Sequence, residues 1–187
     1  MRALFLALTL VAGLPALAAP IPYQYDAEGS IVGFEADFGT TPIRGQMPVA
    51  DITLALDFDR VAASHVEVTL DAAAARANIP FATQAMTGDS VLATTDHPEI
   101  RFESTSVRPT ETGAEITGRL TIRGVTRDAT LAAVLYRAPG SDPGERDDLK
   151  ILITGTVSRS AFGATGFPDL VGDEVRLKIL AHIRRAG

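Results

Sequence analysis

The stretch "GRLTIRGVTRDATL", Gly118 to Leu131, decides the architecture. Leu120 and Ile122 before Arg123-Gly124, and Ala129 and Leu131 after it, stand on alternate positions. Alternation with a period of two marks a strand with one dry face and one wet face, so the stretch reads as two strands hinged at Arg123-Gly124. The dry face must be covered, and the rest of the chain has little helix with which to cover it.

The same pattern repeats on both sides. "SIVGFEADF" puts Val32, Phe34, Ala36 and Phe38 on one side, and "DITLALDF" does the same with Ile52, Leu54, Leu56 and Phe58. "HVEVTLD" sets Val66, Val68 and Leu70 against His65, Glu67, Thr69 and Asp71. Further on, "EIRFEST" (Ile100, Phe102, Ser104), "GAEITGRLTI" (Ala114 to Ile122) and "DATLAAVL" (Ala129 to Leu135) alternate in the same way. So do "LKILITGTV" (Ile151, Ile153, Gly155, Val157) and "DEVRLKILAHI" (Val175 to Ile183). With an opening strand near Tyr23 to Asp26, eight or nine strands follow.

The exception is the Ala-rich stretch Ala72 to His97, punctuated by Pro80 and Gly88. One or two short helices are expected there, at Pro80 to Thr87 and Asp89 to Ala93, within an insert spanning about residues 79–93. Elsewhere no connection is long enough for a crossover helix, so the sheet is antiparallel and largely up-and-down. It covers its dry face by folding over as a sandwich or by closing on itself. At about eight strands a closed barrel is either just filled by side chains or holds one ligand. Ala36, Ser104, Ala114, Gly118, Ala129, Ala133, Gly155 and Ala181 are small inward residues, and the chain has no Trp. They suit a hollow barrel, or a packed one in which small and large residues alternate to fit the taper.

Composition narrows the function. A length of 187 residues allows one domain. Met1 to Ala18 reads as a removable secretory signal: a basic start, an apolar run, then Ala16-Leu17-Ala18 as the cleavage pattern. The single domain is expected over residues 19–187, exported to the periplasm with no segment left inserted in a membrane. Of the 17 basic residues Arg2 falls in the signal, which leaves 16 against 23 acidic and a net charge near −7. Such a surface disfavours nucleic acid. Cysteine is absent, so neither disulfides nor a thiolate metal site is available.

Little in the chain points to catalysis. His65 and His182 fall on outward strand positions and His97 in the loop before Pro98, so the three histidines read as surface residues. There is no G-x-S-x-G elbow and no S-x-x-K motif. Asp57 and Asp59, and the loop acids Asp142, Glu145, Asp147 and Asp148, read as solvated charge and lack the EF-hand spacing. The chain is therefore expected to be no enzyme, with neither metal nor cofactor.

Four segments carry a resemblance. "GRLTIRGVTRDATL", "HPEIRFESTSV" (His97 to Val107), "SRSAFG" (Ser158 to Gly163) and "VGDEVRLKI" (Val171 to Ile179) are similar, in order, to motifs of the YceI-like, polyisoprenoid-binding family of exported bacterial proteins. The N-terminal element "YQYDAEGSIVGF" keeps Tyr23, Asp26, Ser30 and Phe34 but has Gly29 where the family often has His. A second family His has no counterpart in "EADFGTTP". The resemblance implies an all-β, lipocalin-like, extended antiparallel barrel of eight strands whose bore takes up a long isoprenoid chain: a polyprenol, a polyprenyl phosphate or an isoprenoid quinone.

Val32, Phe34, Ala36, Leu54, Leu56, Phe58, Val66, Val68, Phe102, Gly118, Leu120, Ala129, Leu131 and Ile153 are then the expected bore lining. Arg159 and Ser160 are candidates for a head-group or mouth contact, or for a brace of the rim; Phe81 and Met86 are candidates for a gate, or for the buried stripe of a short helix. A strand of ten residues rises roughly 33 Å, and a tilt of about 40° leaves a bore of roughly 25 Å, a shape suited to a thin linear ligand. A solid barrel domain acting through its surface is the alternative, and pairing into a homodimer is left open.

Overall fold

The computed structural model describes residues 20–136, 140, 142 and 144–186. The expected signal, Met1 to Ala18, lies outside them, as does part of the loop after Tyr136.

Alternation becomes strand as expected, and two of the expected strands fuse into one. β1 (Ile21–Phe38) contains both the opening segment and "SIVGFEADF". β2 (Ile43–Gln46), β3 (Val49–Leu56), β4 (His65–Asp71) and a short β5 (Arg76–Ala77) follow. Then come α1 (Pro80–Thr87), β6 (Glu99–Pro109), β7 (Ala114–Ile122), β8 (Val125–Tyr136), β9 (Asp148–Ser158) and β10 (Val171–Arg185).

Eight of these strands close into an antiparallel barrel, β1-β3-β4-β6-β7-β8-β9-β10, through the ladder that joins β10 back to β1. The remaining two, β2 and β5, extend the edge beside the second half of β1, where β2 pairs with Gly33–Ala36. Their sequences are too short for period two to be readable.

The opening stretch forms the β7–β8 hairpin. Ile122 pairs with Val125, and the two turn residues Arg123 (φ 53°) and Gly124 (φ 73°) are both left-handed. That geometry matches the twist of the flanking strands. On the wet faces direct cross-strand ion pairs follow the register: Glu35 with Arg176, Glu103 with Arg119 and Arg108 with Glu115.

Helix α1 has the expected bounds, with Pro80 in its first turn, where its missing N–H costs nothing. Asp89 to Ala93 is not a second helix. It is a set of turns in which the N–H groups of Val91 and Ala93 both return to the Gly88 carbonyl and Ala93 takes φ 50°. Gly88, with little preference for a helical backbone, ends the helix before this segment can extend it.

β1 is not straight. Between the pairs Asp26↔His182 and Ile31↔Leu180 it advances five residues while β10 advances two, so Ala27 to Ser30 arch outward. The Asp26 side chain holds the arch, accepting hydrogen bonds from the N–H groups of Glu28 (3.1 Å) and Gly29 (3.3 Å).

Candidate functional site

The barrel encloses an apolar cavity of about 640 Å³, a size that holds one ligand. The two ends of the cavity differ. At the end formed by the start of β1, β9 and the finish of β10, Tyr23, Leu56, Leu149, Ala181 and Ile183 pack as a buried cluster, with Ile183 1% exposed. Phe58 meets Tyr23 edge-on at 5.8 Å, and the Arg146 guanidinium lies 5.6 Å from the Phe58 ring. The Tyr23 hydroxyl donates to the Arg146 carbonyl at 2.9 Å, and burial raises the phenol above its ordinary range.

At the other end the wall reaches solvent. Among the described residues that line the cavity, the exposed ones are Phe81 of α1 (65%), Phe167 (38%) and Leu170 (58%), all at the mouth between α1 and the β9–β10 loop. Phe81 and Phe167 meet edge-on at 6.2 Å. No residue between Ile79 and Gly88 or between Ser160 and Pro168 carries a charge. Those two uncharged segments are the sequence signal that could have located the mouth. It goes unnoticed because neither segment alternates.

The residues expected to line the bore all do so except Gly118. A Cβ on Gly118 would lie 2.5 Å from both the Phe102 ring and the Glu103 carbonyl oxygen, so the Phe102 ring already fills that place. Gly155 seats Leu131 in the same way, its own Cβ position being 2.5 Å from Leu131 Cδ2. Both readings of the small inward residues therefore hold locally: the glycines seat large neighbours, while Ala36, Ala114, Ala129, Ala133 and Ala181 face the cavity. Ser104 turns inward where β4 and β6 stop pairing, and its hydroxyl accepts the Val66 N–H at 2.9 Å.

Of the two gate candidates, Phe81 is the exposed lip just described, and Met86 lines the cavity while packing against the Leu92–Ile100–Phe162 cluster. Arg159 lines the mouth, but its guanidinium is engaged. Nε donates to Gly172 O (2.9 Å), Nη1 to Ala164 O (2.6 Å) and Gly166 O (2.7 Å), and Nη2 to Val171 O (2.8 Å). Of its two readings this is the brace, holding the β9–β10 loop by backbone carbonyls. Ser160 lies outside the cavity wall beside Ser158 (3.2 Å), and its N–H donates to Asp173. Hydrogen bonds from Ser158 and Ser160 hold the Asp173 carboxyl below its usual range, so this corner carries negative charge.

Two residues read as solvent-facing are not. Asp57 is not a solvated charge: alternation ends at Leu56, and Asp57 turns in to cap the following turn, accepting from the N–H groups of Asp59 (3.0 Å) and Arg60 (2.7 Å). The Arg60 N–H is the main reason its carboxyl sits below the ordinary range. His182 does point outward, yet it is no surface residue. It is 8% exposed and lies under the β1 arch, with Nδ1 2.9 Å from Asp26 and Nε2 2.6 Å from Asp148. Arg184 joins the same two carboxylates, at 2.7 and 3.5 Å.

A Cβ on Gly29 would lie 2.3 Å from His182 Nδ1. The imidazole of β10 thus occupies the space beside the position at which the sequence has Gly29. His65 is half-exposed between Glu67 (3.0 Å) and Ser104 (3.3 Å), and His97 packs against Gly124. The histidines do not converge, and among the described residues no cluster of His, Asp and Glu has the geometry to hold a metal ion.

A closed antiparallel barrel with an apolar cavity open at one end defines a small, ligand-sized container. Residues 23–183 match the sequence model of the YceI-like domain, and the chain belongs to that family. It is 34% identical to Protein YceI of Shigella flexneri over 129 residues, 67% of each chain. It is 28% identical to a UPF0312 protein of Pseudomonas savastanoi pv. phaseolicola over 168 residues, 89% of this chain and 87% of that one.

Among solved structures, BcnA of Burkholderia cenocepacia shares the fold with a TM-score of 0.75 at 18% identity, over 85% of this chain and 99% of BcnA. A polyisoprenoid binding domain from Saccharophagus degradans, implicated in plant cell wall breakdown, does so with a TM-score of 0.60 at 10% identity, over 89% of this chain and 99% of that one. At such identities the likeness is one of fold.

Proposed function

We propose that this protein is an exported, periplasmic carrier that holds one long-chain isoprenoid lipid in its barrel and catalyses no reaction. The observation that carries the reading is the cavity of about 640 Å³, walled by alternating apolar side chains and open between Phe81 and Leu170. The related fold of a polyisoprenoid binding domain supports it. The tail enters past Phe81 and runs toward the packed cluster at Ile183, with Met86 and α1 bordering the entrance.

Burial at about 0.8 kcal/mol per CH2 sums to roughly 30 kcal/mol over forty carbons. Non-covalent affinities saturate near 18 to 21 kcal/mol, so ordering of the tail offsets much of the gain. Affinity comes from the tail, and the head group adds selectivity.

Organic extraction or native mass spectrometry of protein purified from its own host is the direct test. A co-purifying prenyl lipid, or uptake of a polyprenol or long-tailed quinone in vitro, is the expected result; neither occurring would sink the reading. Val68→Trp, which thrusts a large ring into the cavity from the middle of β4, is expected to abolish uptake while the barrel stays folded. Gly118 is unsuitable for this purpose because a side chain there collides with Phe102.

A further inference from the structure

We infer, resting on the carrier reading above, that the protein selects isoprenoids with an uncharged head group and discriminates against polyprenyl phosphates. Among the described residues lining the cavity, the charged ones are Asp57 and Arg159. Asp57 lies at the packed end, is itself an anion, and is held by Arg60 through its N–H (2.7 Å) and its guanidinium (2.9 Å). Arg159 is at the mouth, where a head group would lie, but its donors already serve four backbone carbonyls. Turning the guanidinium toward a phosphate would strand the carbonyls of Ala164, Gly166, Val171 and Gly172 and loosen the loop that forms one side of the mouth.

The other arginines around the rim stand outside the cavity wall, and each has a protein partner. Arg123 donates through Nη1 to the carbonyls of Asp89 and Val91, Arg127 through Nε to Ala161 O, Arg44 to Glu35, and Arg76 to Ala75 O. None of them lines the cavity. The two uncharged segments that border the opening, 79–88 and 160–168, are each followed directly by an acid, Asp89 and Asp169.

A phosphate monoester carries about −1.5 to −2 charges and needs charge-assisted donors in place of its water. At this lip it meets apolar side chains, backbone and carboxylates, and drawing it toward the cavity leaves it unpaired. A hydroxyl or a quinone carbonyl keeps its few hydrogen bonds with water at the lip and loses little. The same tail is therefore retained when its end is neutral and repelled when its end is anionic.

The test is competitive uptake by the purified protein from an equimolar mixture of a polyprenol and its phosphate of equal chain length, followed by extraction and mass spectrometry of both. Enrichment of the alcohol by about tenfold or more is expected. Equal uptake, or preference for the phosphate, would overturn the inference while leaving the carrier reading intact. Uptake of neither would remove both.

Discussion

The two ends of the barrel are built from the same alternating strands and are held in opposite ways. At the packed end side chains interlock inside, around Tyr23, Leu149 and Ile183, and outside Asp26, Asp148, His182 and Arg184 tie β1, β9 and β10 together. At the mouth Leu92, Ile100 and Phe162 pack beneath the connections, and arginines pin them from the side: Arg159 grips the β9–β10 loop by its carbonyls, and Arg123 grips the Asp89–Val91 turn. The difference teaches where rigidity and access are separated. The packed end closes over its interior contacts, whereas the mouth leaves Phe81, Phe167 and Leu170 facing water.

The contrast is broken most directly by truncating the packed end. Ile183→Ala removes the most buried large side chain and is expected to cost about 2–4 kcal/mol, read by urea or thermal unfolding. A loss as small as that of a surface change would mean that the packed end is not the structural anchor.

The outer latch is sharpened by exchanging its histidine. Gly29→His alone collides with His182 and is expected to cost about 1–3 kcal/mol. Adding His182→Ala vacates the space, so the double variant should recover part of that loss, a coupling that a double-mutant cycle measures. Additive effects would show that the two positions do not share one space.

Acid should loosen this latch. Asp26 is held below the usual carboxylate range chiefly by the Gly29 N–H, with help from Arg184 and His182; Asp148 is held low chiefly by its hydrogen bond from His182. A carboxylate whose folded value is depressed contributes stability that is present above its unfolded value, about 3.9, and is lost as pH falls through the folded value. The unfolding midpoint is therefore expected to drop below about pH 4, and Asp148→Asn should flatten that drop while lowering stability at neutral pH. An unchanged pH profile in the variant would separate the latch from acid lability.

The smallest effect on stability belongs to the lip. Phe81→Ser should shift unfolding by less than about 0.5 kcal/mol, because the ring is largely exposed, yet change the rate at which a bound prenyl lipid exchanges with vesicles. A large loss of stability would make Phe81 part of the core.

Much of the barrel was legible because a strand's geometry is local. Side chains alternate whatever lies across the sheet, so Val32, Leu54, Val68, Leu120 and Ile153 could be placed on the inner face from their neighbours alone. Pro80 and Gly88 bounded α1 for equally local reasons. The second helix failed at Asp89, since composition favours a helix there while the turns are set by hydrogen bonds back to Gly88 and Met86. Legibility stopped where contacts span the chain. Inward phase was right for Gly118, but that it faces a ring rather than the cavity depends on Phe102 across the ladder. Outward phase was right for His182, but its burial depends on an arch more than 150 residues earlier, from Ala27 to Ser30.

The amino-acid sequence by itself determined an antiparallel sheet with one apolar face, interrupted by a single Ala-rich insert. A period of two and the placement of Gly and Pro follow from the chain's own geometry. The tertiary structure alone decided that the sheet closes around a cavity rather than a solid core, which end of it is sealed, and that the Arg159 guanidinium bonds backbone carbonyls of the β9–β10 loop. Those outcomes depend on how side chains remote in sequence share volume and hydrogen bonds, and local pattern carries no record of that sharing.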